Sequence, residues 1–245
     1  MEHRLNLDIL PQPDETTCGP TCLHALYKYF DDDIPLERLI PEIPSLRDGG
    51  TLAVFLACHA LRRGYRAKIF TYNLEMFDPS WFGTPDLDLR DRLSRQLVFK
   101  NSATCKVATE AYVEFIERGG ALRFEDLTGG LIRRYLKRGI PILTGLSATY
   151  LYHSTREHGT AYDDVRGKPS GHFVILAGYA AESRSVLIMD PLHPNPVAPS
   201  QIYEISIDRV LGAILLGVLT HDANLLIIEP LKRTTQPHHV DIHSR

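Results

Sequence analysis

The stretch Thr17-Cys18-Gly19-Pro20-Thr21-Cys22 constrains this chain more than any other, because it opens a helix on a thiol. Pro20 and Thr21 suit a first helical turn, and Leu23, Leu26, Tyr27 and Phe30 carry the helix on at helical spacing. Cys18 therefore stands just before a helix N-terminus, where unpaired backbone N–H groups and the positive end of the dipole favour a thiolate. Gly19 lets a substrate carbonyl approach the backbone closely. Gln12 lies upstream, within reach to donate an amide hydrogen bond to a developing oxyanion. The segment reads as a nucleophilic cysteine.

Such a thiol needs a base. Gly171-His172-Phe173-Val174-Ile175-Leu176-Ala177-Gly178-Tyr179 begins with a histidine and continues as an apolar, β-branched strand. Arg184 to Pro191 gives a second strand ending in Asp190, and the connection from Ala180 to Ser183 is short enough for an antiparallel hairpin. His172 and Asp190 then lie at the same end of the hairpin, where the carboxylate can orient the imidazole. Nucleophile, base and orienter make a thiol acyl-transfer site.

A Gln, a Cys-Gly-Pro at a helix start, a Gly-His-Phe-Val strand and an Asp-Pro closing the next strand together resemble the bacteriocin-processing (double-glycine leader) peptidases, which are papain-like cysteine peptidases. The resemblance covers the first thirty or so residues and roughly Ile140 to Asp190. It implies an α+β fold with an N-terminal helical lobe and an antiparallel sheet lobe. It also implies that Cys18 is the nucleophile, His172 the general base and acid, Asp190 its orienter and Gln12 the oxyanion donor. The expected function is a thiol-dependent peptidase or amidase, with a narrow cleft suited to small residues such as glycine. Two alternatives stay open: an acyltransferase of the same fold, and a catalytically idle peptide-binding module. Cys18 and His172 are 154 positions apart, farther than in the compact peptidase domains attached to exporters. The chain between them, about 73–139, reads as a helical insertion.

With 245 residues, 44% of them hydrophobic, the chain can bury a full core. We expect one domain over 1–231 and a polar, disordered tail over 232–245. A net charge of −3 argues against general affinity for nucleic acid or anionic membrane. No run approaches the ~18 apolar residues that span a bilayer, and Met1-Glu2-His3-Arg4 leads to no signal-peptide core. The expected location is cytoplasmic, the expected partner a peptide or amide substrate, and no cofactor is implied. Cys18, Cys22, Cys58 and Cys105 do not suggest a disulfide framework. Cys18, Cys22 and His24 lack a second ligand pair, so no metal is expected. The sequence carries no signal of oligomeric state.

Along the chain, helices are expected at 20–30, 35–40, 52–63 (with Thr51 as N-cap), 86–100, 108–118, 128–138 and 207–219. Strands are expected at 66–72, 140–146, 171–179, 184–190, 203–205 and 224–228. Ser147 to Ser170 reads as a long polar loop leading into Gly171 and His172, and such loops are often functional. Gly19 and Gly171, with Tyr150, Arg156 and Asp164 in or beside that loop, are the candidate substrate contacts.

Overall fold

A computed structural model describes residues 3–47, 49–159 and 161–231; the expected polar tail lies outside them. After a short strand β1 (His3–Arg4), an extended arm leads into helix α1 (Cys18–Tyr29). Helices α2 (Leu36–Glu42) and α3 (Ala53–Arg62) follow, then strand β2 (Tyr65–Thr71). The segment expected to be a helical insertion holds α4 (Ser80–Gly83), α5 (Leu89–Gln96), α6 (Ala103–Glu117) and α7 (Gly129–Leu136). It also holds β3 (Ala121–Arg123), which pairs in parallel with β2, so this segment adds a strand at the end of the sheet path. The rest is β4 (Ile142–Ser147), α8 (Ala148–Tyr152), the small hairpin β5 (Glu157–His158) and β6 (Ala161–Tyr162), then β7 (Gly171–Ala180) and β8 (Ser185–Met189). Strand β9 (Ile202–Ser206), α9 (Ile207–Leu216), a 3-10 turn and β10 (Asn224–Pro230) complete the fold.

The main sheet runs β3-β2-β10-β4-β7-β8-β9, with β1 on the side of β7. All its pairings are antiparallel except β2–β3. Pro141 sits just before β4, where its missing N–H interrupts no ladder, so β4 lies inside the sheet rather than at an edge. The apolar side chains of β4, β7 and β8 are buried on both faces. One core lies between the sheet and α1, α3 and α6, through residues such as Leu26, Leu56, Phe115 and Ile175. The other lies between the sheet and α7 and α9, through residues such as Ile132, Val174, Ile188 and Val210. The architecture is α+β, with helices against a largely antiparallel sheet.

Two helix starts differ from the sequence expectation, each for a local reason. Helix α6 begins at Ala103, earlier than the apolar spacing indicates, because the Ser102 hydroxyl accepts from Cys105 N at 3.2 Å. Thr51 does not cap α3, since its hydroxyl donates to the Pro44 carbonyl at 2.8 Å. The cap comes instead from far along the chain: both Asp222 carboxylate oxygens accept from Ala53 N, at 3.2 and 3.1 Å.

Candidate active site

Asp14 prepares the thiol's helix. Its carboxylate accepts from Thr16 N at 2.7 Å and from the Thr16 hydroxyl at 2.8 Å, and these bonds hold its pKa below the usual carboxylate value. The chain then turns through Thr17 into Cys18, the first residue of α1. Thr17 makes no side-chain cap, so orphan N–H groups of the first turn lie beside the thiol. Cys22, one turn on, donates its Sγ–H to the Phe173 carbonyl at 3.3 Å and so ties α1 to β7. Gly19 is required at this crossing. A Cβ there would stand 2.5 Å from Thr51 Cγ2 and 3.3 Å from Phe173.

The hairpin delivers the other two groups. His172 is on β7, and Asp190 follows the last residue of β8. His172 Nε2 lies 2.8 Å from Asp190 Oδ1, with the carboxylate fully buried. That bond leaves Nδ1 unengaged by Asp190, and Cys18 lies near enough for its charge to act on the ring. Burial alone would depress the proton affinity of His172. The charges of Asp190 and Cys18, together with the hydrogen bond to Asp190, outweigh it and raise the pKa well above the usual histidine value. Burial likewise works against the Asp190 charge, but His172, Leu192 N–H and Tyr152 hold its pKa below the ordinary value.

Sequence reasoning missed part of what surrounds Asp190. Its Oδ2 accepts from Tyr152 Oη at 2.7 Å and from Tyr203 Oη at 2.8 Å, while Oδ1 also accepts from Leu192 N at 2.9 Å. Tyr152 ends α8 and Tyr203 lies on β9, so neither shares a local pattern with the hairpin. Tyr203 alternates with outward Glu204 on an edge strand of the main path, which marks it as inward but not as a partner of Asp190.

Gln12 is held close to the same hairpin. Its backbone N–H donates to the Pro191 carbonyl at 2.8 Å, and Gln201 Nε2 bridges the carbonyls of Leu10 and Asp190 at 3.3 and 3.0 Å. Gln12 Nε2 donates to the Asp14 carbonyl at 2.9 Å, and its Oε1 is buried without a partner.

A cleft of about 310 Å³ opens beside Cys18 and His172, with Gly171, Phe173, Thr51 and Asp222 among its walls. Gly171 is one of the residues lining the cleft. Tyr150, Arg156 and Asp164 do not line it. Tyr150 packs over Gly212, and the Arg156 guanidinium donates to the backbone carbonyl of Asp164, so the last two bind each other across an exposed loop. Lys168, from the same loop, does reach the cleft. Asp222 is a cleft residue the sequence did not mark. It precedes β10, and burial pushes its carboxyl up to about 7 against the hydrogen bonds from Ala53 N and Asn224. Among the described residues, no group of three or more His, Cys, Asp and Glu could hold a metal ion, and no helix is long and apolar enough to cross a membrane.

The model of the Peptidase_C39 like family matches residues 96–206, a stretch that includes His172 and Asp190 and begins after Cys18. No curated protein matches the chain. Among solved structures, a double glycine motif protease from an AMS/PCAT transporter, in complex with its leader peptide, is 14% identical. It aligns over 93% of this chain and 94% of its own, with a TM-score of 0.44. A protein described as a C39-like peptidase from Bacillus anthracis is 14% identical over 94% of this chain and 98% of its own, at a TM-score of 0.46. The peptidase domain of Streptococcus ComA, a bi-functional ABC transporter of a quorum-sensing pathway, is 13% identical over 93% and 98%, at 0.41. The chain resembles the C39 cysteine peptidases, and its α+β architecture is the papain-like one that this resemblance implies.

Proposed function

We propose that the protein is a thiol-dependent peptidase or amidase that cleaves a peptide or amide bond through a thioester on Cys18. The observation that carries this is the grouping of Cys18, at the start of α1, with His172 on one cleft, and of the buried Asp190 2.8 Å from His172 Nε2. His172 Nδ1 takes the Sγ proton, and the sulfur attacks the carbonyl carbon. The Cys18 N–H and the Gln12 amide hold the oxyanion that forms. As the C–N bond breaks, His172 returns its proton to the leaving amine. Water then attacks the thioester, gives a proton to His172, and expels the thiol, which takes that proton back. The family-model match over His172 and Asp190 supports the same reading.

The test is intact mass spectrometry after a limiting dose of iodoacetamide across pH. Fast labelling below pH 7 at a single cysteine, absent in Cys18→Ala and slowed in His172→Ala, is the expected result. Labelling that rises only near the free-thiol pKa of ~8.5, with no His172 effect, would leave a peptide-binding module in its place. Once a cleaved peptide is in hand, Gln12→Ala should lower turnover ~100- to 1,000-fold, and equal turnover would remove Gln12 from the mechanism. Adding amines to the acyl-enzyme separates hydrolysis from acyl transfer.

A further inference from the structure

The main sheet parts at the pole away from Cys18. Past the Leu226–Leu143 pair, β10 keeps β2 as a neighbour but pairs no further with β4, and β1 is paired with β7 alone. The groove that opens there has a volume of about 920 Å³, within the range of small-molecule sites. It lies at the far end of the elements that carry the catalytic groups. Helix α1 begins at Cys18 and reaches the groove with Lys28 and Tyr29, roughly 15 Å along its axis. Strand β7 begins with Gly171 and His172 at the cleft and pairs with Arg4 of the groove at Gly178.

The groove carries charge that its own residues do not neutralise. Arg4, Lys28, Arg66 and Arg138 line it, against the carboxylates of Asp31 and Glu229. Arg138 is engaged, with its Nη2 3.0 Å from Glu229 Oε1. Lys28 reaches Asp8 at 3.4 Å, but both side chains are exposed and such a pair is weak, so the ammonium stays available to a stronger partner. Arg4 and Arg66, on two different strands, have no ion-pair partner among the described residues. The whole chain has a net charge of −3, so this positive excess is local. The rest of the lining is largely apolar or aromatic, with Leu5, Tyr29, Phe30, Ile140 and Pro230. Tyr29 Oη donates to the Gly139 carbonyl at 2.9 Å, and the Phe30 ring meets Tyr29 edge-on at 5.1 Å, so both rings are held in place. Guanidinium groups are suited to phosphate oxygens, and rings beside them to a flat heterocycle.

We infer that this groove binds a phosphorylated small molecule of nucleotide size, with its phosphates on Arg4 and Arg66 and its ring against Tyr29 and Phe30. A ligand there lies away from Cys18 and is not the molecule cleaved, so the inference stands apart from the catalytic reading. The experiment is calorimetric titration of the protein, without divalent cation, with ATP, GTP, CTP and UTP, and separately with inorganic triphosphate and penta-glutamate. At least one nucleotide should bind with a Kd below ~100 μM, and at least ~10-fold more tightly than inorganic triphosphate, the difference that the ring supplies. Arg4→Glu and Arg66→Glu, both at exposed positions, should each weaken it at least ~10-fold. Arg95→Glu, an exposed site on α5 outside the groove, should change it less than about two-fold, because distant surface charges are screened. Cys18→Ala should bind as the wild type does. No binding of any of the four nucleotides at ~1 mM would overturn the inference. Binding that survives both groove substitutions would overturn it too, as would inorganic triphosphate binding as tightly as the nucleotide. Penta-glutamate binding where no nucleotide does would also overturn it and assign the groove to an acidic peptide.

Discussion

Two buried histidines in this protein face a carboxylate through Nε2, and their proton affinities move in opposite directions. His172 lies 2.8 Å from Asp190, and its pKa is raised. His59 lies 3.0 Å from Glu42, and its pKa is lowered. Their side chains are equally hidden, at 7% exposure each. The carboxylates are not: the Glu42 side chain is 43% exposed and that of Asp190 not at all. A charge in solvent is screened, so burial dominates at His59, whereas a charge inside the protein acts at far lower effective dielectric. The remaining nitrogens complete the contrast. His59 Nδ1 meets the Tyr27 hydroxyl at 2.8 Å, which satisfies a neutral ring. His172 Nδ1 is not engaged by Asp190, and Cys18 lines the same cleft. A similar hydrogen bond thus fixes α2 against α3 in one place and, in the function we propose, holds a base in the other. The difference is whether the carboxylate charge is kept from water.

The largest test of this contrast removes each charge in turn. Asp190→Asn should lower the proton affinity of His172 by ~2 pK units and slow iodoacetamide labelling of Cys18 at pH 6 on the order of 100-fold. Glu42→Gln should change that rate less than about two-fold. Labelling of Asp190→Asn at the wild-type rate would show that the buried carboxylate does not hold the His172 proton.

The difference also explains what could be read from the chain. Cys18 at a helix start and the His172–Asp190 hairpin were legible because each is a local pattern, and strand pairing does the rest: in the β7–β8 register Ile175 faces Met189, which brings both groups to one end. The donors that keep Asp190 ionised were not legible. Tyr152 and Tyr203 reach it only because β4, β7, β8 and β9 lie side by side, an order set by the whole sheet. Asp222 capping α3 across 169 residues is a contact of the same kind. Tyr150, Arg156 and Asp164 were singled out because their loop leads to His172. Yet a loop's exit does not fix where its tip points, and the hairpin β5–β6 leaves Arg156 and Asp164 bound to each other.

Stability against pH gives a smaller but signed test. A histidine whose folded pKa is lowered binds protons more weakly than the unfolded chain does, so its contribution is complete above ~6.5 and is lost as pH falls below that value. That is His59. A histidine whose folded pKa is raised contributes fully below ~6.5, and this is lost as pH climbs toward its folded value, which for His172 is about 10. Melting curves between pH 5 and 9 should show His59→Gln flattening the wild-type loss on the acid side. His172→Gln should flatten a loss on the alkaline side. Same-signed changes from the two substitutions would dissolve the distinction.

The finest comparison sets the tyrosines against each other. Tyr27→Phe removes the hydroxyl on His59 Nδ1, so it should cost about 1 kcal/mol of stability and leave the rate profile of Cys18 labelling in place. Tyr152→Phe or Tyr203→Phe removes a donor from Asp190 Oδ2, and the carboxylate then binds a proton more readily. The pair with His172 breaks when Asp190 is protonated, so the acid limb of the labelling profile should move to higher pH, with a rate loss of ~3- to 10-fold on that limb. Each tyrosine should act alone, and the double substitution should move the limb farther, because Oδ2 would then have neither phenol. If instead the two variants lower thermal stability as Tyr27→Phe does and leave the acid limb where it was, these hydroxyls serve packing and the charge of Asp190 is kept by His172 and Leu192 N–H.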